Sequence, residues 1–396
     1  MKPKLIYVST LAVTMNITLR NQLRFMRNYF DVIGICAYDK KHTEDIIARE
    51  GVRIYSVNMS RRVSLFSDIL ALIKLVLLFK KEKPQIVCSL TSKAGILAML
   101  ASRISAVPVR IHIIVGLAYF GLSGLGRKIL MHFEKLTLKL ATAVYINSSE
   151  LRKVVINSKL CDEGKIKVIN NGSTNGIDIN YFNPDYLKGT SQDRASLRSK
   201  IGLSTEDFVF CFIGRIAKDK GINELLDSHL RLVKELNNKQ CIKLIFVGTI
   251  DKERGDLNND VVNSIKSGGN ILYLGRYDDI RPYLIVSDVL VLPSYREGFP
   301  KVLMEAGAMG LPCIVTDING CNEIIINNEN GLIIPLKDAS ALKAAMQKLV
   351  LNRDLKDRLA SNSRELVVRR YRQEDHWEVL LKEFLGQLKS ITKNDS

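Results

Sequence analysis

The sequence predicts an α/β chain folded as two doubly wound parallel sheets. Three observations carry this. The chain has 396 residues, more than one hydrophobic core usually serves. Short Val- and Ile-rich runs alternate with helix-length segments, the signature of parallel strands joined by crossover helices. A polar stretch, Asn183 to Lys200, interrupts that alternation once, near the middle.

Before the interruption the strand-like runs are Leu5–Ser9, Val32–Ala37, Arg53–Val57, Ile86–Leu90, Val109–Ile114, Val144–Asn147 and Ile166–Ile169. They carry few charges, as strands buried on both faces should. After it come Phe208–Ile213, Lys243–Val247, Ile271–Leu274, Val289–Leu292, Cys313–Thr316 and Leu332–Ile334. The expected domains are residues 1–185 and 200–372, with a last helix, about 373–390, packing back on the first. Leu65–Phe79 is apolar, but Ser67, Asp68 and Lys74 interrupt it and it is shorter than a membrane span. It reads as a buried crossover helix. The alternative is an interfacial helix flanked by Arg61, Arg62, Lys80, Lys81 and Lys83.

Composition narrows the function. The N-terminus passes directly into a strand-like run, with no signal-peptide pattern. Seven scattered cysteines, none in a Cys-x-x-Cys spacing, read as reduced thiols of a cytoplasmic protein. Five histidines show no metal-ligand spacing, and Asp-x-Asp is absent. Net charge is +17, and residues 1–190 hold 28 Lys and Arg against 13 Asp and Glu. A basic first half seeks an anionic partner. Nucleic acid is not expected, because no aromatic residues interleave with the basic ones.

The segment "EGFPKVLME", bracketed by Glu297 and Glu305, is the most informative. It follows a strand-like run, and Pro300 suits the first position of a helix. A helix start offers free N–H groups and positive dipole to a phosphate. Two carboxylates accept hydrogen bonds only, so they suit sugar hydroxyls better than phosphate itself. A phosphate that carries sugars, a nucleotide-sugar, satisfies both. Upstream, "FVFCFIGRIAKDKG" places Gly214 at a strand end, where backbone can approach a ligand closely. Arg215 and Lys220 follow, five residues apart, able to clamp a diphosphate from two sides.

With these motifs in order, the chain resembles the retaining, nucleotide-sugar-dependent glycosyltransferases of the GT-B fold, group 1, whose hallmark is two glutamates separated by seven residues. "NNGSTNGID", from Asn170 to Asp178, resembles the segment that closes that family's first domain. "KPQIV" and "KAGILAMLASRISAVPVRI" resemble the bacterial branch that builds capsule, O-antigen or lipid-linked oligosaccharide. The resemblance implies two Rossmann-like domains facing a cleft. It implies retaining transfer, without metal or cofactor, of a hexose or N-acetylhexosamine from a UDP-sugar to a lipid-diphosphate-linked saccharide. The protein would sit on the cytoplasmic face of the inner membrane, against its anionic surface.

Site roles follow from the same resemblance. Arg215 and Lys220 match the pyrophosphate pair, Glu305 the ribose carboxylate and Glu297 the donor-sugar carboxylate. Gly214, Gly298, Phe299, Pro300, Lys301 and Val302 surround the phosphates and sugar, and Gly275 ends the strand beside the base pocket. Many members place a histidine near the end of the fifth strand. Here "RIHIIVGLAYFG" has Val115 before Gly116, and His112 three residues earlier. His112 is therefore read either as a core residue or, with Glu297, as catalytic. The first domain would hold the acceptor and the second the nucleotide-sugar, with Arg103, Arg110, Arg127 and Lys128 as candidates for the acceptor. Two rivals share parts of this pattern: a UDP-sugar 2-epimerase, and a non-catalytic RNA- or membrane-binding protein.

Overall fold

The computed structural model describes residues 2–59, 64–117, 119–120, 122–236, 241–251, 257 and 259–394. It divides into two compact units, residues 1–176 with 373–396, and residues 177–372.

In the first unit the order is β1 (Lys4–Leu11), α1 (Ala12–Thr18), α2 (Gln22–Met26), β2 (Asp31–Ala37), α3 (Lys40–Glu50), β3 (Arg53–Ser56), α4 (Leu65–Glu82), β4 (Ile86–Leu90), α5 (Ser92–Ile104), β5 (Val109–Ile114), α6 (Gly124–Leu140), β6 (Ala143–Ile146), α7 (Ser149–Asn157) and β7 (Ile166–Val168). All seven strands pair in parallel, in the order β3-β2-β1-β4-β5-β6-β7. Alternate residues of each strand enter opposite faces. Ile6, Val8 and Val87 meet Leu75, Phe79 and Leu97 on one side. Leu5, Tyr7 and Cys88 meet Leu23, Leu380 and Phe384 on the other. The last two come from α16 (Gln373–Asn394), which belongs to this unit.

Helix limits follow local chemistry. Asp39 accepts from the His42 N–H at the start of α3, and Gly51, at φ 63°, ends it. Ser148 caps α7 through the Leu151 N–H. The segment resembling a domain closure does close this unit. Asn175 donates to the Arg20 carbonyl at 2.9 Å and accepts from the Trp377 indole at 2.6 Å.

One sequence expectation changes here. Helix α4 is a crossover helix, but only Ala71, Leu75, Phe79 and Glu82 are buried. Leu65, Phe66, Ile69, Leu70, Ile73 and Leu77 are exposed, so the helix is buried along one face only. Arg61 and Arg62 lie outside the described residues. No helix among the described residues is long and apolar enough to cross a membrane.

The second unit contains α8 (Arg194–Lys200), β8 (Phe208–Ile213), α9 (Ile222–Leu236), β9 (Ile242–Val247), α10 (Asn259–Lys266), β10 (Ile271–Gly275), α11 (Arg281–Val286), β11 (Val289–Leu292), α12 (Lys301–Ala308), β12 (Cys313–Thr316), α13 (Cys321–Ile324), β13 (Gly331–Ile334), α14 (Ala339–Leu351) and α15 (Arg353–Tyr371). Its six strands run in the order β10-β9-β8-β11-β12-β13, again with parallel pairing. The polar stretch 183–200, expected as a connection, is built into this unit. Arg198 of α8 is 2% exposed, and its guanidinium bonds Asp288 and the carbonyls of Val286, Thr205 and Asp207. The unit begins instead at Ile177, whose N–H bonds the Tyr371 carbonyl. Buried arginine and a short helix do not register as core in a hydropathy reading, so the boundary is read too late.

Candidate active site

In the second sheet, β8 pairs with β9 on one side and β11 on the other. That is the point where the winding reverses, and open α/β sheets bind ligands there, outside the carboxyl ends of the strands. The loops after β8 and β11 carry the four predicted side chains, or lead into the helix that does.

Arg215 follows Gly214 at the end of β8. Its guanidinium meets Asp251 at 2.9 Å and Asp219 at 3.1 Å. Arg296 also reaches Asp219, at 3.4 Å. Lys220 pairs with Glu297 at 2.6 Å, and the same carboxylate oxygen accepts from Ser294 at 2.7 Å. The structure thus joins Lys220 to Glu297 directly, where the sequence assigned them to different ends of a ligand. Glu305, on α12, pairs with Lys301 one turn earlier at 3.2 Å. Pro300 is the residue that precedes the helix, not its first residue; its ψ of 105° is extended and Lys301 opens α12. The Lys301 and Val302 N–H groups, first in the helix, lack intrahelical acceptors, whereas the Leu303 N–H bonds the Pro300 carbonyl at 3.1 Å.

Backbone contacts fix the two loops against each other. The Tyr295 N–H bonds the Asp219 carbonyl at 2.9 Å, and the Tyr295 hydroxyl bonds Glu224 at 2.6 Å. Thr316 donates to the Ser294 carbonyl at 2.5 Å. Phe299 meets Tyr371 edge-on, with ring centroids 5.7 Å apart. Gly221 adopts φ 67°, and a Cβ there would fall 2.1 Å from the Pro293 carbonyl oxygen. Gly320 lies under the Gly298–Phe299 turn, where a Cβ would come 2.3 Å from the Gly298 oxygen. Burial, then the charge of Glu297, push the Cys321 thiol well above its ordinary range, so it stays protonated.

A cavity of about 660 Å³ lies at the ends of β8, β9 and β10. Gly214, Arg215, Asp251, Arg276, Tyr277 and Ile280 are among its lining residues. Each of these three strands ends on or just before a glycine: Gly214, Gly248 and Gly275. A Cβ on Gly248 would lie 1.8 Å from the Gly214 oxygen. Sequence reasoning found Gly214 and Gly275 but missed Gly248, and also Asp219, Asp251, Ser294 and Gly320. The repeated strand-then-glycine pattern was the available signal for Gly248. Asp219 lies four residues after Arg215 in the same motif, the spacing of a local ion pair, whereas Asp251 gave no signal, since it meets Arg215 only through the pairing of β8 with β9.

In the first unit the predicted residues scatter. His112 is 2% exposed within β5, with Nδ1 2.9 Å from the Ser89 hydroxyl and Nε2 3.8 Å from Glu134. It is a core residue here. Arg103 ends α5 and Arg110 begins β5, both at the edge opposite the carboxyl ends of the strands. The Arg110 guanidinium bonds the carbonyls of Leu140 and Val107, at 2.9 and 2.8 Å. Arg127 and Lys128 are exposed near the start of α6, and the Arg127 guanidinium lies 5.9 Å from the Tyr119 ring.

The second unit therefore offers an anion two cations, and offers hydroxyl donors two carboxylates, at one switch point. Comparison with known proteins agrees with that chemistry. The family model described as "Glycosyl transferases group 1" matches residues 193–366, and "Glycosyl transferase 4-like" matches residues 4–148. The capsular polysaccharide biosynthesis glycosyltransferase CapM of Staphylococcus aureus is 31% identical over 91% of this chain and 92% of its own. A UDP-Gal:alpha-D-GlcNAc-diphosphoundecaprenol alpha-1,3-galactosyltransferase of Escherichia coli is 31% identical over 86% of this chain and 84% of its own. Among solved structures, Anabaena Alr3699/HepE in complex with UDP and glucose superposes with a TM-score of 0.80, at 17% identity, over 97% of this chain and all of that one. The chain belongs to the group 1 glycosyltransferases, with the two parallel-sheet domains of the GT-B fold and relatives that make bacterial surface glycans.

Proposed function

We propose that this glycosyltransferase moves a hexose or N-acetylhexosamine from a UDP-sugar to a lipid-diphosphate-linked saccharide, with retention and without a metal. The observation that carries this reading is the meeting of Arg215, Asp219, Lys220 and Glu297 around one switch point, with Glu305 one helix turn inside α12. In this reading Arg215 and Lys220 take the diphosphate and stabilise its charge as the bond to the sugar breaks. The free N–H groups at Gly298, Phe299, Lys301 and Val302 add to that field. Glu305 accepts from ribose hydroxyls and Glu297 from hydroxyls of the sugar. No side chain is assigned as a nucleophile, so the acceptor attacks on the face the diphosphate leaves.

Support for the acceptor comes from relatives. The Escherichia coli protein is named for a diphosphoundecaprenol-linked sugar, as is a Campylobacter jejuni relative, 28% identical over 69% of this chain. Support for an anionic membrane surface comes from α4 and α6. Both helices expose apolar side chains, those of α4 and also Leu125, Ile129 and Phe133 of α6, and Lys74, Lys80, Lys81, Arg127, Lys128 and Lys135 are exposed on the same two helices. Apolar side chains flanked by lysine and arginine suit a helix lying in a lipid interface.

Calorimetric titration with UDP tests the donor half. Arg215→Ala and Lys220→Ala should each weaken UDP by about tenfold or more, the value of a charge-assisted hydrogen bond. Unchanged affinity in both would overturn the site. Product anomer analysis by NMR tests retention.

A further inference from the structure

Glu297 is held by two donors at one atom. Lys220 Nζ donates to its Oε1 at 2.6 Å, and the Ser294 hydroxyl donates to the same oxygen at 2.7 Å. Oε2 receives no hydrogen bond among the described residues. The Glu297 side chain keeps 14% of its surface exposed, so the carboxylate is not sealed away.

The two donors differ in what fixes them. Lys220 carries its ammonium on a flexible four-carbon stem, which can turn toward another anion. Ser294 is fully buried just after β11, and the fold sets its position. Its carbonyl accepts from the Thr316 hydroxyl at 2.5 Å, and Thr316 is the buried last residue of β12. Both chain neighbours are pinned as well. The Tyr295 N–H bonds the Asp219 carbonyl, and the Pro293 carbonyl packs against Gly221 with no room for a Cβ. Glu297 is the one partner of the Ser294 hydroxyl among the described residues, and a buried hydroxyl that gave it up would be left unpaired.

A diphosphate that draws Lys220 away therefore removes one donor and leaves the other in place. We propose that Ser294 is a positioning residue for the donor sugar. Its hydroxyl keeps Oε1 of Glu297 fixed while Lys220 turns to the diphosphate, so that the bare Oε2 stays aimed at a hydroxyl of the sugar. Without either donor the carboxylate would turn about its side-chain torsions, and each encounter would carry the cost of ordering it again. A hydrogen bond to a charged acceptor is roughly twice as strong as a neutral one, which suits it to hold the group through that exchange. The inference rests on the glycosyl-transfer reading above and adds to it the group that aims the sugar-binding carboxylate.

The test uses the full chain, with UDP as the probe of the nucleotide half. UDP-glucose, UDP-galactose, UDP-N-acetylglucosamine and UDP-N-acetylgalactosamine probe the sugar half. Titration calorimetry gives, for each protein, the ratio of the UDP-sugar Kd to the UDP Kd. Ser294→Ala should leave UDP within about twofold of wild type and raise the ratio for the preferred UDP-sugar about tenfold, the loss of one hydrogen bond to a charged group. Ser294→Thr keeps a hydroxyl and should return the ratio to within about threefold of wild type. Thr316→Val keeps the branched shape, releases the Ser294 carbonyl and should raise the ratio by less than Ser294→Ala. An unchanged ratio in Ser294→Ala overturns the proposal. So does weakening of UDP and UDP-sugar in equal proportion, which a purely structural role would give. A Ser294→Thr protein that binds UDP normally yet keeps the alanine ratio overturns it too, as does wild-type protein that binds UDP but none of the four UDP-sugars. Failure of wild-type protein to bind UDP would instead remove the reading on which the proposal rests.

Discussion

Lys220 and Glu297 share a 2.6 Å contact, so a ligand that uses both must divide an existing pair. That sets the sign of one prediction. Glu297→Gln releases Lys220 from its counter-charge while keeping the shape of the side chain. UDP should then bind as tightly as before or more tightly, while turnover falls about 100-fold through loss of transition-state contacts. Parallel titration and steady-state assays separate the two effects. A proportional loss of both would place Glu297 on the nucleotide instead. At this scale the sequence was informative where chemistry depends on spacing. Arg215, Lys220, Glu297 and Glu305 could be picked out because cations and acids recur at fixed distances from strand ends. Their partners could not. Asp251 reaches Arg215 from the neighbouring strand, and Ser294 reaches Glu297 only because the loop after β11 folds back.

Strands were the most legible elements. All thirteen expected runs form strands, with no end moved by more than two residues, because short Val- and Ile-rich segments between turns have few other ways to bury themselves. The outer face of α4 was less legible, since an apolar helix reads alike whether protein or lipid covers it. Replacing Leu65, Ile69 and Leu77 together by Glu should leave UDP affinity unchanged. It should also abolish flotation with vesicles containing anionic lipid, the removal of three apolar side chains adding to new like-charge repulsion. Retained flotation would free α4 from that role. Tight turns set a further demand on the elements of the site. Gly221→Ala would place a methyl 2.1 Å from the Pro293 oxygen at φ 67°. The second unit should lose about 2–4 kcal/mol in urea unfolding, from backbone strain and overpacking combined. A change below about 0.5 kcal/mol would show that the turn relaxes freely.

Across the whole molecule each unit has its own core, and each buries at least one histidine. Burial pushes His229 of the second unit and His376 of the first down from 6.5 to about 4. Both bind a proton more weakly folded than unfolded, so acid favours the unfolded chain. Their neutral forms cost nothing above about pH 6.5, and stability declines as pH falls from there toward 4, by up to roughly 3 kcal/mol for each group. Melting curves across that window should flatten for His376→Gln relative to wild type. An unchanged slope would mean the ring is not held neutral. The unit boundary was read about nine residues late, at 185 instead of 176, because the buried Arg198 and its polar surroundings look like linker in a sequence. The function of the molecule turns on where the donor lies. A crystal structure with UDP tests this most directly. The diphosphate should contact Arg215 and Lys220 at the carboxyl ends of β8 and β11, with the ribose hydroxyls on Glu305. UDP bound elsewhere, with those three side chains still engaged only with Asp219, Asp251, Glu297 and Lys301, would contradict it.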